Sequence, residues 1–394
     1  MSWHSTAFRR DVRIGRPADW IRTPAVDDRS SALHAVRPSA RLPAGLGFAE
    51  GDWLHACRVA VGLLVPGLAL LFAGRPELII FAAFGSFAGM YGRAESRGLR
   101  LRHQAQGGAI LLTGVAVGTL LSACHARPWV LVVTEAGFAF AGALVTNRLD
   151  LVPRGPFFGI FALGAIALVP ADGAGLSICA GTVLFCVLIG LTGPKRVLGR
   201  SAISPPGVTC GQEDCERGRR RSCAVVHAAR YVAAISAAGF CGLLLGVEHA
   251  NWAMASAAVP LAAVDARNRL HPGVRSVLHR SAHRVLGTFA GLGVTALLLL
   301  PDFSETLLAL SVIALLFPTE LFMSRHYGLA LGFFTPLIMV MTELATPAEP
   351  VPLLTDRVLD TLIGLVAGIA AAVLVRGPCR DRPVNVEFRP TARP

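Results

Sequence analysis

The sequence has little charge for its length and almost no lysine. Of its 394 residues, 16% are charged and 53% are hydrophobic, and Lys195 is the single lysine among 37 basic residues. Soluble domains carry about 25% charged residues. An ordinary cytosolic enzyme is therefore excluded. The nine cysteines are too sparse for a disulfide scaffold, and we expect no structural disulfides.

The sequence also lacks the motifs of common enzymes. It contains no Gly-rich phosphate loop, zinc-protease helix motif or serine nucleophile elbow. We therefore expect neither an enzyme nor a bound cofactor. The net charge of +12 does not indicate a nucleic acid partner, because the arginines occur in bursts between apolar segments. We expect no metal site, because one group of zinc-ligand residue types fits no standard spacing: Cys210, Cys215, Cys223 and His227.

Twelve apolar segments are long enough to be candidate membrane helices. They predict an all-α polytopic membrane protein with a first membrane region at 56–192, a cytoplasmic linker at 193–225 and a second membrane region at 226–376. The predicted spans are 56–73, 77–92, 105–123, 128–146, 156–170, 173–192, 226–247, 250–265, 284–300, 303–321, 327–345 and 355–375.

The basic residues predict the orientation of these segments. Residues 1–55 are polar and arginine-rich and lack the apolar core of a signal peptide. We interpret 1–55 as a mostly disordered cytoplasmic tail that contacts membrane lipid, and 377–394 as a second cytoplasmic tail. We place the protein in the inner (plasma) membrane with both termini in the cytoplasm. In this orientation all basic residues lie on the cytoplasmic side except Arg75, Arg127 and Arg357.

The two membrane regions resemble each other. His55 and Arg58 open the first helix with the same spacing as His227 and Arg230 in the seventh. Each region has six predicted helices, an even number, so the prediction is two parallel six-helix repeats related by an axis along the membrane normal. Such repeats usually enclose a shared pathway.

The second region carries motifs that resemble the FUSC family, the fusaric acid resistance and aromatic acid exporter superfamily. Arg284-x-x-Gly287-Thr288 opens the ninth helix, and Arg357-x-x-Asp360-Thr361-x-x-Gly364 lies in the twelfth. Further matching segments are Asn251–Met254, Arg280–His283, Arg325–Ala330 and Phe334–Leu337. The resemblance covers 226–376 and implies energy-dependent export of aromatic or other organic acids.

An organic acid is an anion, so its route needs fixed positive charge. Arg58 and Arg230 begin helices at equivalent cytoplasmic ends, each with a histidine three residues earlier on the same face. We hypothesise that they capture the substrate carboxylate. The alternative is that both anchor helix ends at the lipid headgroups.

Short helices at matching places in two repeats are typical of a binding site. The predicted helices 2 and 8 are the short ones. Candidate substrate-binding residues are aromatic side chains that could stack on a ring and hydroxyls that could donate hydrogen bonds: Phe84, Tyr91, Trp252, Ser86 and Ser256. The alternative for Trp252 is the interfacial aromatic belt.

Carboxylates within membrane spans are costly and usually functional. Glu135, Glu320 and Asp360 are candidates for proton coupling, with Glu135 first because it is the deepest. Arg357 lies one turn before Asp360, and the two are alternatively a structural helix-end pair.

The residues alone predict a twelve-helix transporter or channel with arginine-lined cytoplasmic openings. The family resemblance implies the substrate class, and we therefore expect an exporter of aromatic or related organic acids that uses the proton gradient. A passive organic-anion channel would need the arginines but no proton carrier. A membrane scaffold for a biosynthetic assembly would need neither. We also expect that the protein can form a homo-oligomer.

Overall fold

A computed structural model describes residues 50–93, 95–192, 210–246, 250–262, 274–301 and 303–375. The side chains of 50, 210–220 and 274–277 lie outside this description. The described chain is entirely helical. Its α-helices are α1 (Glu50–Phe72), α2 (Ile79–Ser86), α3 (Arg97–Ala123), α4 (Pro128–Leu149), α5 (Phe157–Ile166), α6 (Gly175–Gly190), α7 (Cys210–Leu244), α8 (Ala250–Leu261), α9 (Val274–Leu299), α10 (Glu305–Met323), α11 (Tyr327–Ala345) and α12 (Pro350–Leu374).

Each predicted span overlaps one of these helices, although α1, α3, α7, α9 and α12 begin earlier than predicted. Eight helices of the described chain are long and apolar enough to cross a membrane, namely α1, α3, α4, α7, α9, α10, α11 and α12. The described residues therefore form the all-helical fold of a multi-pass membrane protein, with several helices capable of spanning a bilayer. α7 begins at Cys210, inside the segment predicted as linker. Cys223 in α7 is disulfide-bonded, so the expectation of no structural disulfide is wrong at this residue.

The short helices lie in the interior. α2 has eight residues and is flanked by 3₁₀ turns at Pro76–Leu78 and Phe87–Met90. α8 has twelve residues. Every residue of α2 and α8 is buried, as is all of α5 after Phe157. A helix that is apolar on all sides and short is covered by its neighbours rather than by lipid. α2, α5, α8 and most of α11 therefore form the centre of the bundle.

Helix contacts follow the same order in the first six and the last six helices. α1 contacts α2 and α6, α6 contacts α2 and α3, and α5 contacts α3 and α4. The corresponding helices of the second set, each numbered six higher, make the same contacts. α7 contacts α8 and α12, α12 contacts α8 and α9, and α11 contacts α9 and α10. The contacts between the two sets also match: α4 packs on α7 as α10 packs on α1, and α5 on α8 as α11 on α2.

One glycine sets the approach of α12 to α8. A Cβ atom at Gly364 would overlap the carbonyl oxygen of Ala253 and would lie 2.6 Å from Cβ of Ser256. Small residues allow membrane helices to pack backbone against backbone in this way. The contact holds one face of α8 against the arginine-bearing segment of α12.

We predict that Gly364→Leu lowers the midpoint of thermal unfolding in detergent, because the new side chain overfills this contact. Overpacking costs about 1–3 kcal/mol. Gly293→Leu in α9 is the matched control, since no atom lies within 4 Å of a Cβ at Gly293. Equal midpoints for the two variants would contradict the close α8–α12 contact.

Candidate functional site

A cavity of about 610 Å³ lies at one end of the bundle. It is lined by residues that follow α2, by the α4–α5 loop, by the last turns of α8 and α10, by the first turn of α5, by the second and third turns of α9 and by the first two turns of α11. Its charged lining residues are Arg93, Arg154, Arg280, Arg284 and Glu320, and its aromatic lining residues are Phe157, Phe158, Tyr327 and Phe334. This volume suits a small organic ligand.

The aromatic wall of the cavity is part of a larger ring cluster. Phe158 of α5 lies 5.4 Å from Phe87 and 6.4 Å from Phe334 of α11, measured between ring centroids. Phe84 contacts Phe87 and Phe161, with centroids 5.7 and 5.5 Å away. Edge-to-face and tilted rings at these separations pack favourably. The wall can therefore hold an aromatic ring of a ligand.

Two arginines of α9 reach the aromatic side of the cavity. The guanidinium of Arg280 lies 4.2 Å from the ring centroid of Tyr327, and that of Arg284 lies 5.8 Å from Phe157. Arg284 also donates a long hydrogen bond to Oγ of Ser256, at 3.5 Å. The Nε atoms of Arg280 and Arg284 are buried and have no hydrogen-bond partner among the described residues. Both guanidinium groups therefore have donors free for an anion.

Glu320 of α10 is the one acidic side chain among the described residues that line the cavity. Its carboxylate lies 3.0 Å from Nε2 of His55 and 3.4 Å from Nη1 of Arg93. Arg93 and Arg325 both approach Asp52, at 3.5 and 2.8 Å. This network joins α1 to α10 at the cavity rim. With four arginines against one carboxylate in the lining, the cavity is positive and attracts anions.

The predicted carboxylate-capturing arginines lie outside this cavity. Arg58 donates to the carbonyl oxygen of Thr192 beyond the end of α6, at 3.1 Å. Arg230 donates to the carbonyl oxygen of Val375 at the end of α12, at 2.9 Å. Each arginine thus binds a helix carboxyl end within its own set of six helices, which is the geometry of a cap. His55 contacts Glu320.

The predicted substrate-binding residues are all buried, and none of them lines the cavity. Ser86 donates to the carbonyl oxygen of Ala83 in its own helix, at 2.7 Å. The ring of Tyr91 fills the space beside Gly107 of α3. Ser256 reaches the site indirectly, through Arg284. Trp252 is 0% exposed, so it does not belong to an interfacial belt.

The three predicted proton-coupling carboxylates lie in different places. Glu320 is at the cavity. Glu135 of α4 is 0% exposed, and both its oxygens lack a hydrogen-bond partner among the described residues. It lies beside Gly164 of α5 and Asn251 of α8, since a Cβ at Gly164 would be 3.2 Å from both oxygens and 2.9 Å from Cβ of Asn251. Asp360 lies in α12 and is also fully buried.

Arg357, which the topology prediction assigns to the outer side of the membrane, lies inside α12. It is the eighth residue of a helix that begins at Pro350, and it is 2% exposed. Its guanidinium lies 4.9 Å from the ring centroid of Trp252. Arg357 and Asp360 interact electrostatically, without a hydrogen bond between them among the described contacts.

Sequence reasoning missed most of the cavity residues, although several had a signal. Arg280, Arg284, Tyr327 and Phe334 belong to the segments that carry the family resemblance. They went unassigned because only the tertiary packing of α9 against α11 shows that they share one cavity. Arg93 and Arg154 stand in basic loops, where the charge pattern indicates topology and gives no information about a binding role.

A separate charge cluster lies at the opposite ends of the helices. Arg75, before α2, contacts Glu77 and Asp172, the latter at 2.7 Å. The pKa of Asp172 is lowered, first by the backbone N–H of Ala174 that donates to it and then by Arg75. This group therefore favours the folded state above the ordinary carboxyl pKa, and the effect is lost as the pH falls through the lowered pKa.

Among the described residues, no group of three His, Cys, Asp or Glu side chains could hold a metal ion. Cys210 and Cys215 lie outside the described side chains. The arginines of the cavity are instead suited to a carboxylate or another oxyanion.

The fold and the cavity define a multi-pass helical membrane protein with an internal anion-attracting site. Residues 236–371 match the model of the family described as fusaric acid resistance protein-like. This match confirms the predicted resemblance to the FUSC family over the end of α7, all of α8 to α11 and most of α12. It fits a membrane transport protein rather than an enzyme. No curated protein and no solved structure matches the chain significantly.

We predict that the cavity selects anionic reagents. A cysteine placed by Ser324→Cys, in the cavity lining, should react with anionic methanethiosulfonate ethylsulfonate faster than with its cationic trimethylammonium counterpart. The ratio of the anionic to the cationic reaction rate should be about fivefold or more higher for Ser324→Cys than for Ala171→Cys, which lies beside Asp172. The reason is that the local electrostatic potentials at the two positions have opposite sign. Mass spectrometry of the modified peptides measures both rates. Equal ratios at the two positions would contradict a positive cavity.

Proposed function

We propose that this protein exports aromatic or related organic acids from the cytoplasm and that the 610 Å³ cavity binds the substrate. The observation that carries the proposal is the joint presence of arginines and aromatic rings around one volume. Arg280 and Arg284 would bind the carboxylate, and Phe158 and Phe334 would contact the ring. The family match of residues 236–371 supports a transporter of this class.

The proposed membrane architecture is twelve spans in two parallel six-helix repeats. The matching order of helix contacts in the two sets supports it. The two short buried helices, α2 and α8, occupy equivalent places six positions apart, as broken helices do in transporters built from repeats. In this arrangement α2, α5, α8 and α11 surround the pathway.

The cavity would open to the cytoplasm in the inner membrane, with both chain termini on the same side. Its arginines, and those that cap α6 and α12, lie at the helix ends where the positive-inside rule places basic residues. The acidic cluster of Asp172 and Glu77 lies at the other ends. A substrate carboxylate would thus meet the positive cavity first.

Proton coupling would use Glu135. A carboxyl group buried without a hydrogen-bond partner is most stable in its neutral form, and it can become charged only when water or a cation reaches it. Its position between α4, α5 and α8 lies at the contact between the two sets of helices. A relative movement of these helices would change its exposure. Glu320 is less suited, because its carboxylate already contacts Arg93 and His55.

The test is transport of radiolabelled aromatic acids into inverted membrane vesicles. We predict uptake by vesicles that contain the protein and a KM raised by about tenfold or more in Arg280→Gln, because a hydrogen bond to a charged group contributes about 1.5–3 kcal/mol. Arg148→Gln is the matched control, since Arg148 is exposed at the end of α4 and lies outside the cavity.

The same assay separates the transporter from its alternatives. A protonophore should abolish accumulation, and Glu135→Gln should remove the dependence on the proton gradient. Flux that persists with a protonophore at fixed voltage would indicate a passive anion channel and overturn the coupling. The absence of transport for every acid, by protein shown to be in the membrane, would overturn the exporter and favour a scaffold.

A further inference from the structure

A second group of buried charges lies next to the cavity, between α8, α9 and α12. Its members are Arg284, Arg357 and Asp360, whose exposed fractions are 2%, 2% and 0%. Arg284 also lines the cavity, whereas Arg357 and Asp360 do not. Arg284 and Arg357 are near enough to interact electrostatically. The group therefore continues the positive charge of the cavity into the helix bundle.

The polar atoms of this group are poorly satisfied. Nε and Nη1 of Arg357, Nε of Arg284 and both oxygens of Asp360 are buried without a hydrogen-bond partner among the described residues. The ring of Trp252 lies 4.9 Å from the Arg357 guanidinium. A cation–π contact offsets part of the cost of burying a cation. It leaves the N–H donors of the guanidinium unused.

The donors of the two arginines are not fully used by protein groups. Two guanidinium groups and one carboxylate are buried here, and the partly buried Asp356 also acts electrostatically on Asp360. Buried charged groups in proteins are usually hydrogen-bonded, paired or bound to a ligand of opposite charge. The unused N–H groups of Arg284 and Arg357 can therefore donate to an anion.

The two arginines are arranged along one face of α8. Arg284 contacts Ser256, and Arg357 contacts Trp252. Ser256 and Trp252 are four residues apart, so they share a face and are separated by about 6 Å along the helix axis. Gly364 keeps α12 against this face. Arg357 therefore lies about one helical turn beyond Arg284, farther from the cavity.

We infer that Arg357 and Trp252 form a second, inner anion-binding subsite, which receives a carboxylate from Arg284. The ligand is the carboxylate group of the exported acid, so this inference rests on the proposed function and adds a step to it. Asp360 competes with the ligand for Arg357 when the subsite is empty. Arg357 would thus have two states: paired with Asp360 when the subsite is empty, and bound to the ligand carboxylate when it is occupied.

Trp252 offers a local reporter of this subsite. The chain has five tryptophans, and replacing Trp3, Trp20, Trp53 and Trp129 by Phe leaves Trp252 alone. Bromine quenches tryptophan fluorescence on contact, so 4-bromobenzoate is the probe and benzoate is the control without a heavy atom. Quenching should saturate with concentration in the purified protein. Arg357→Gln and Arg284→Gln should each weaken the apparent affinity at least about tenfold.

Three further variants show whether the effect is specific. Arg357→Lys should retain part of the quenching, because it keeps the charge. Asp360→Asn should tighten binding, because a competing carboxylate is neutralised. Arg100→Gln should leave the affinity unchanged, since Arg100 is a buried arginine that donates to carbonyl groups around α6 and α3. Each variant must elute from a size-exclusion column at the same volume as the unmodified protein, which shows that it is intact.

Two results would overturn the inner subsite. One is the absence of saturable quenching in the protein with Trp252 alone. The other is equal quenching in that protein and its Arg357→Gln variant. Failure of the proposed function is distinguishable from both. Quenching that depends on Arg357, in a protein that transports no acid, would retain the anion subsite and reject the exporter.

Discussion

Positive charge without a matching negative charge, inside a bundle of apolar helices, is the constraint on which this structure depends. Arginine is costly to bury, and the chain buries several. Arg100 and Arg230, which are buried, and Arg58, which is partly buried, each donate to a carbonyl oxygen at a helix end. Arg280, Arg284 and Arg357 make no such bond among the described contacts, and an aromatic ring lies near each of them. The first set holds helices together, and the second set leaves donors free for an anion.

The packing of the helices explains how this charge is tolerated. The interior helices α2, α5 and α8 are short, and the cavity is lined by residues that follow α2, precede α5 and end α8. Glycine brings neighbouring backbones close enough to seal the rest: Gly364 fits α12 to α8, and Gly287 fits α9 to α11. The long helices other than α11 carry apolar side chains on their exposed faces. The cavity is thus a polar site inside an otherwise apolar assembly, and the site determines what the assembly can carry.

The fold was largely predictable from the sequence, whereas the site was not. Hydropathy and turn residues predicted the places of the α-helices that the described residues form, because the length of an apolar run is a local property. The extension of α7 to Cys210 was missed, since its first turns are too polar to resemble a span. For the site, local patterns pointed to Arg58 and Arg230, because the sequence predicts them at helix ends. In the structure both donate to carbonyl oxygens. Arg280 and Phe158 are far apart in the chain, and their shared cavity arises from the packing of α5, α9 and α11, which no local pattern encodes.

The central claim is that an aromatic carboxylate binds among the arginines and rings at one end of the bundle. The most direct measurement is a crystal structure of the complex with 4-bromobenzoate, in which anomalous scattering locates the bromine. The account predicts a bromine position beside Phe158 and Phe334, with the carboxylate directed toward Arg280 and Arg284. Bromine found solely in the apolar groove between α9 and α12, against Phe289 and Val358, would show partition into a lipid-facing surface and would contradict the account.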